Sequence, residues 1–146
     1  MTRHLATLLV LISLAGCGEE VHVRLLRGEC EDPSLSDIFS VKAKLRRADG
    51  VGVERCVTIS TALSSLEEME GLLAANVVFD DIPTGGDWTL WVEGFSGASC
   101  STGGLACGKS AGLTLPPSSG QIEVFMDCKP LFSTGKFTNI KACLAE

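Results

Sequence analysis

Apolar and polar residues alternate with a period of two over most of the chain after residue 20, which is the pattern of half-buried β-strands. The alternating segments lie at 21–26, 41–46, 51–59, 77–79, 88–93, 113–115 and 121–127. Asp49-Gly50 separates the second segment from the third and is a strong signal for a hairpin turn. Arg55 interrupts the apolar positions of the third segment, as is expected near the edge of a sheet. About seven strands separated by tight turns predict an all-β fold, an antiparallel β-sandwich of the immunoglobulin-like or transthyretin-like kind.

One segment has a different period. The run Ser64-Ser65-Leu66-Glu67 has the form of a helix capping box, and apolar residues at 66, 69, 72 and 73 follow at helical spacing. Gly71 lowers the helix propensity of this segment. The pattern therefore predicts one short helix that crosses between strands.

The first 16 residues have the form of an export signal. Arg3 supplies a positive charge, and the apolar run over 5–14 follows it. A hydrocarbon core of about 30 Å needs about 20 apolar residues to be spanned by a helix, so this run is too short for a membrane span. We therefore expect residues 1–16 to be a signal peptide.

The segment ends in Leu14-Ala15-Gly16-Cys17, which resembles the lipobox of bacterial lipoproteins. The resemblance implies cleavage before Cys17 and acylation of this residue, with membrane lipid as the partner of the acyl chains. It also implies that Gly18, where Asp would favour retention in the inner membrane, directs the protein to the outer membrane, facing the periplasm or the surface. We therefore expect a lipidated N-terminus and short tether at 17–20 and one β-domain over 21–146.

The composition of the chain excludes several classes of protein. The 146 residues support one domain of ordinary size, and 45% hydrophobic residues are too many for a disordered chain. With 12 Lys and Arg against 18 Asp and Glu, the net charge of -6 argues against a nucleic-acid partner. Seven Cys in so short a chain indicate an oxidising compartment.

Apart from Cys17, the cysteines are even in number and predict three disulfides, formed by Cys30, Cys56, Cys100, Cys107, Cys128 and Cys143. The Gly-rich stretch between Cys100 and Cys107 can bend back on itself, so we expect these two to pair. Cys30–Cys56 and Cys128–Cys143 are the accompanying pairs. A zinc or redox site is the alternative, but the chain has no C-x-x-C pair and its mature part has one His, His22. We expect no metal and no cofactor.

The run Val77-Val78-Phe79-Asp80-Asp81-Ile82-Pro83-Thr84-Gly85-Gly86-Asp87-Trp88-Thr89-Leu90-Trp91-Val92 is similar to a stretch of carboxypeptidase-regulatory-like and transthyretin-like modules. In those modules a Pro-Gly turn leads into a central strand whose aromatic residue packs in the core. The resemblance implies a β-sandwich of an accessory or binding module. It transfers no active site.

Several short motifs match catalytic or ligand-binding patterns without the context that these need. The run 103–110 fits the nucleotide-binding pattern G-x-x-x-x-G-K-[ST], but a polar segment precedes it and Pro116 soon follows, so we expect a loop and no nucleotide. The runs 94–98 and 133–136 approach the hydrolase patterns G-x-S-x-G and S-x-x-K without the helices that those patterns require. Asp80, Asp81 and Asp87 could gather around calcium, although acidic turn residues are usually solvated.

Three hypotheses about function follow. The leading one is a lipid-anchored, non-enzymatic structural or binding module of the cell envelope. The alternative is an envelope lipoprotein that binds a glycan or inhibits a hydrolase, for which an exposed surface at Trp91 and Glu93 would be the candidate binding surface. Trp91 can instead be buried on the face opposite Trp88, which is the favoured interpretation. The third, a small hydrolase, needs His22 within reach of a nucleophile such as Ser96.

Overall fold

The computed structural model describes residues 22–27, 32–79 and 81–128. Within these ranges the protein is mostly β, with six strands in a sheet that curls into a half-barrel and one α-helix. The strands are β1 (His22–Arg27), β2 (Ser40–Arg47), β3 (Gly52–Thr58), β4 (Gly85–Phe95), β5 (Gly104–Leu115) and β6 (Gln121–Cys128). A 3-10 helix (Asp32–Asp37) precedes β2, and helix α1 (Leu66–Asn76) lies between β3 and β4. Neither helix is long and apolar enough to cross a membrane.

The strand order across the sheet is β1-β6-β5-β4-β2-β3. Four of the five neighbouring pairs are antiparallel, but β1 runs parallel to β6, with His22 opposite Gln121. The described strands therefore lie in one curled sheet instead of two facing sheets, so the predicted sandwich is not confirmed. The expected strand at 77–79 is not a strand, and 113–115 is the end of the longer strand β5.

Helix α1 covers one face of the sheet, which we call the core face. The buried apolar residues of this face and of the helices form a single cluster: Leu25, Leu35, Ile38, Val41, Ala43, Leu45, Ile59, Leu63, Met69, Leu73, Trp88, Leu90, Val92, Ala106, Leu115, Ile122, Val124 and Met126. Gly108 allows β5 and β6 to approach closely, because a Cβ at this position would lie 2.5 Å from Val124 Cγ1 and 2.6 Å from Met126 Sδ. The buried part of β5, residues 106–108, thus packs closely against β6.

The hairpin predicted at Asp49-Gly50 joins β2 to β3, and the N–H of Arg47 donates to the carbonyl of Val51 at 2.8 Å. Gly50 adopts a positive φ of 90°, which residues with a Cβ rarely adopt. The guanidinium of Arg47 binds the carboxylate of Asp49 and lowers its pKa. Arg55 lies in β3, at the edge of the sheet, as its place in the pattern indicated.

The capping box of helix α1 begins at Ser65, one residue later than predicted. Ser65 is the N-cap, and its hydroxyl accepts the N–H of Glu68 at 3.2 Å. The Glu68 carboxylate accepts the N–H of Ser64 at 2.7 Å and its hydroxyl at 2.8 Å, and these bonds lower the pKa of Glu68. Two residues later, the Glu70 carboxylate accepts the N–H of Leu25 at 2.8 Å and so attaches the helix to strand β1.

We expect Ser65→Ala to lower the free energy of unfolding by about 1 kcal/mol, because the N–H of Glu68 loses its partner at the helix start. Urea denaturation followed by circular dichroism measures this change. Ser60→Ala, at an exposed loop position before the helix, is the matched control and should leave the midpoint unchanged. Equal midpoints for the two variants would contradict the capping role of Ser65.

Candidate functional site

The sheet face opposite α1, which we call the outer face, carries charged and aromatic side chains. In the sheet register Lys42 on β2 lies opposite Glu93 on β4, and Lys44 lies opposite Trp91. On the other side of β4, Glu93 lies opposite Cys107 and Trp91 lies opposite Lys109. The six side chains therefore form two neighbouring rows across β2, β4 and β5. One row contains Lys42, Glu93 and Cys107, and the other contains Lys44, Trp91 and Lys109.

Lys42 and Glu93 form an ion pair with 2.9 Å between Nζ and Oε2. The side chain of Glu93 is 3% exposed and that of Lys42 is 19% exposed, so the pair is largely shielded from water. The Lys42 ammonium also lies 5.1 Å from the ring centroid of Phe95, within the range of a cation–π interaction. Removal of one member would leave the other charged and shielded without its partner, which is strongly unfavourable.

Trp91 lies between two lysines of its own row. The Nζ atoms of Lys44 and Lys109 lie 4.5 Å and 5.2 Å from the ring, and Trp91 is only 7% exposed. Trp91 is therefore buried, as the favoured interpretation held, and Glu93 is buried as well. The two residues are neighbours on the outer face, but they do not form an exposed aromatic and acidic surface.

An open groove with a volume of about 450 Å³ lies beside the ion pair. Its described lining consists of Lys42, Glu93, Phe95, Cys100, Ser101, Gly103 and Gly104. One wall comes from the outer face of β2 and β4, and the other comes from the turn between β4 and β5. Glu93 thus lines a groove, whereas Trp91 does not belong to its described lining.

The turn between β4 and β5, residues 96–103, is fastened over the ends of β2 and β3. The buried Ser40 hydroxyl donates to the carbonyl of Gly97 and accepts the N–H of Cys100 at 3.0 Å. The hydroxyl of Thr58 donates to the carbonyl of Ala98 at 2.9 Å. These bonds hold the rim of the groove in place.

A disulfide between Cys56 and Cys100, with Cα atoms 6.0 Å apart, fastens the same turn to strand β3. The predicted pairs Cys100–Cys107 and Cys30–Cys56 are therefore wrong. The turn carries Cys100 across β2 to the edge strand, whereas Cys107 lies within β5, opposite Glu93. Cys107 is disulfide-bonded as well. The predicted pair Cys128–Cys143 includes Cys143, which lies outside the described residues.

No family model matches the chain, and no curated protein or solved structure is significantly similar to it. The resemblances to lipoproteins and to transthyretin-like modules therefore remain predictions. Trp88, the aromatic residue in the second of these resemblances, is fully buried on β4. The lipobox and Cys17 lie outside the described residues.

The structure separates the residues of the other motifs. Gly104–Ser110 belong to strand β5, so the expected loop at 103–110 is mostly strand. His22 begins β1 at one edge of the sheet, whereas Ser96 follows β4, three strands away and at the opposite end. Asp80 lies outside the described residues, and no three His, Cys, Asp or Glu side chains group around a metal site within the described ranges.

Proposed function

We propose that the protein is a lipid-anchored, non-enzymatic binding module of the cell envelope and that its ligand occupies the groove beside Lys42 and Glu93. Residues 1–16 direct export, Cys17 is acylated and holds the protein at the outer membrane, and the β-domain presents the groove. The lipobox-like run Leu14-Ala15-Gly16-Cys17 supports the anchor. The Cys56–Cys100 disulfide supports export, because structural disulfides persist in oxidising compartments and are rare in the cytosol.

The observation that carries the proposal is the shielded ion pair in the wall of an open groove. Desolvation of two charges offsets much of their attraction, so apolar residues of similar volume would stabilise a sheet face at least as well. The fold therefore does not require charges at these two positions. Their place beside the groove favours a role in recognising a polar ligand.

The chemistry of the wall favours a ligand rich in hydroxyl groups, such as a glycan. An ammonium only donates hydrogen bonds and a carboxylate only accepts them, whereas a hydroxyl does both. Neighbouring hydroxyls of a sugar can therefore bind Lys42 and Glu93 together. Phe95 adds an apolar ring to the same wall, and apolar walls with a few oriented polar groups are typical of small-ligand sites.

The test uses the full-length lipidated protein in detergent with two probes: soluble disaccharides from peptidoglycan, measured by calorimetry, and purified peptidoglycan, measured by co-sedimentation. We expect Lys42→Met/Glu93→Leu to weaken binding about tenfold or more, because hydrogen bonds to charged groups are worth about 1.5–3 kcal/mol. Replacement of both charges by apolar groups should leave the unfolding midpoint nearly unchanged.

Arg24→Ala/Glu123→Ala is the matched control, because this ion pair is solvent-exposed and spans 3.9 Å between β1 and β6. It should bind both probes like the unmodified protein. Equal binding by the groove variant and the control would contradict the proposed site. If the unmodified protein binds neither probe, the proposal that the ligand is a glycan is contradicted.

A further inference from the structure

The sheet has two different ends, and the topology assigns the N-terminus to one of them. Because β1 is parallel to β6, His22 lies opposite Gln121, beside the turn between β5 and β6 at 116–120. The antiparallel register brings the β2–β3 turn at 48–51 and the start of β4 to this same end. We call it the anchor end, since the chain from Cys17 enters the domain here.

The groove lies at the other end of the sheet. Ser40 at the start of β2 lies opposite Phe95 at the end of β4, and Phe95 lies opposite Gly104 at the start of β5. The turn 96–103, which forms the rim of the groove, follows directly. A strand of eight residues such as β6 has a length of about 26 Å at about 3.3 Å per residue. The anchor end and the groove are therefore separated by the length of the strands.

The chain between the anchor and the sheet is short. His22 is the fifth residue after Cys17, and five residues reach at most about 18 Å when fully extended. This reach is less than the length of the strands. An acylated Cys17 would hold the anchor end close to the bilayer surface.

The charge of helix α1 disfavours an orientation in which the domain lies on its helix side. Helix α1 has the sequence LEEMEGLLAAN, which contains three glutamates and no lysine or arginine. Bacterial envelope membranes expose anionic headgroups, so the helix side is repelled from the bilayer. Arg46 shares the anchor end with the exposed acidic residues Asp49 and Asp87, so charge alone does not attract this end to the bilayer. The short tether therefore holds the anchor end near the lipid, and the glutamates of α1 disfavour contact of the helix side with it.

We infer that the domain stands on its anchor end and that the groove opens away from the membrane, toward a wall-borne or dissolved glycan instead of a lipid headgroup. The inference rests on the proposed lipid anchor and on the proposed groove site. The position of the groove indicates the class of partner, because a groove at the far end of the strands is out of reach of the headgroups that hold the protein.

The experiment places one fluorescent amino acid at Val51, which is 43% exposed at the anchor end, or at Ala98, which is exposed in the turn 96–103. The full-length lipidated variants are reconstituted into anionic vesicles whose lipid headgroups carry a nitroxide quencher. We expect quenching at Val51 to exceed quenching at Ala98 severalfold. We also expect soluble peptidoglycan disaccharides to bind the vesicle-bound protein as tightly as the protein in detergent.

Equal quenching at the two positions, or stronger quenching at Ala98, would overturn the orientation and leave the anchor intact. Absence of quenching at both positions would overturn the lipid anchor, and the orientation with it. Glycan binding in detergent that is lost on vesicles would overturn the outward-facing groove alone. Preferential binding to vesicles that contain a glycolipid would overturn the wall-borne or dissolved partner.

Discussion

Cys17→Ser should remove the acyl chains and shift the protein from the membrane fraction toward the soluble extract. Each buried methylene of an acyl chain contributes about 0.8 kcal/mol to membrane binding, and several chains hold a protein far more firmly than one. A serine in place of Cys17 removes the thiol on which acylation and cleavage depend. Fractionation of cells and mass measurement of the purified protein report the two consequences together.

Gly18→Asp is the matched variant, because it changes the next residue and leaves the thiol in place. It should remain acylated and membrane-bound but move to fractions of inner-membrane density. A serine variant that still carries acyl chains in the membrane fraction would contradict the assignment of Cys17.

Cys56→Ser/Cys100→Ser should lower the free energy of unfolding by about 4 kcal/mol on the chain-entropy model, since the disulfide closes a loop of 44 residues. Such a loss is a large part of the free energy of unfolding of a typical domain, which is about 5–15 kcal/mol. Chemical denaturation measures it. Mass mapping without reduction should show a peptide that joins Cys56 to Cys100.

Ser99→Ala/Ser101→Ala provides the control within the same turn, because the two hydroxyls bond to each other at the exposed surface, with 2.8 Å between the oxygens. This variant should change stability by about 0.5 kcal/mol or less. A peptide that joins Cys100 to Cys107, or a double serine variant as stable as this control, would contradict the disulfide seen in the structure.

Local features of the fold could be predicted from the sequence. The turn at Asp49-Gly50, the edge position of Arg55 and the helix after Ser64 each depend on neighbouring residues, and all three are present. Small errors remained where two local solutions compete. Both Ser64 and Ser65 have a glutamate three residues later, and the second serine caps the helix.

Long-range features could not be predicted in this way. Period-two alternation assigns residues to the two faces of a strand, but it does not say whether strands belong to one sheet or to two. Strand β5 resembled a loop because residues such as Ala106 and Gly108 are small, and only the side chains of β6 explain why small residues are needed there. The parallel pairing of β1 with β6 has no local signal at all.

The candidate site likewise combines a local feature that the sequence predicts with a long-range feature that it does not. Alternation placed Trp91 and Glu93 on one face of one strand, which the structure confirms. The groove itself depends on the turn 96–103, which the side chains of Ser40 and Thr58 hold from about 40 to 60 residues away. The pairing of Cys100 with Cys56 follows from this fold of the turn.

The parallel pairing of β1 with β6 also determines when the sheet can be completed during synthesis of the chain. His22 and Gln121 are paired although nearly the whole domain separates them in sequence. Ribosomes deliver a chain from its N-terminus, so β1 waits without its partner until β6 arrives. Folding dominated by such distant contacts is slow. A chain of this topology therefore remains an incomplete sheet during synthesis and needs protection from aggregation until β6 has emerged.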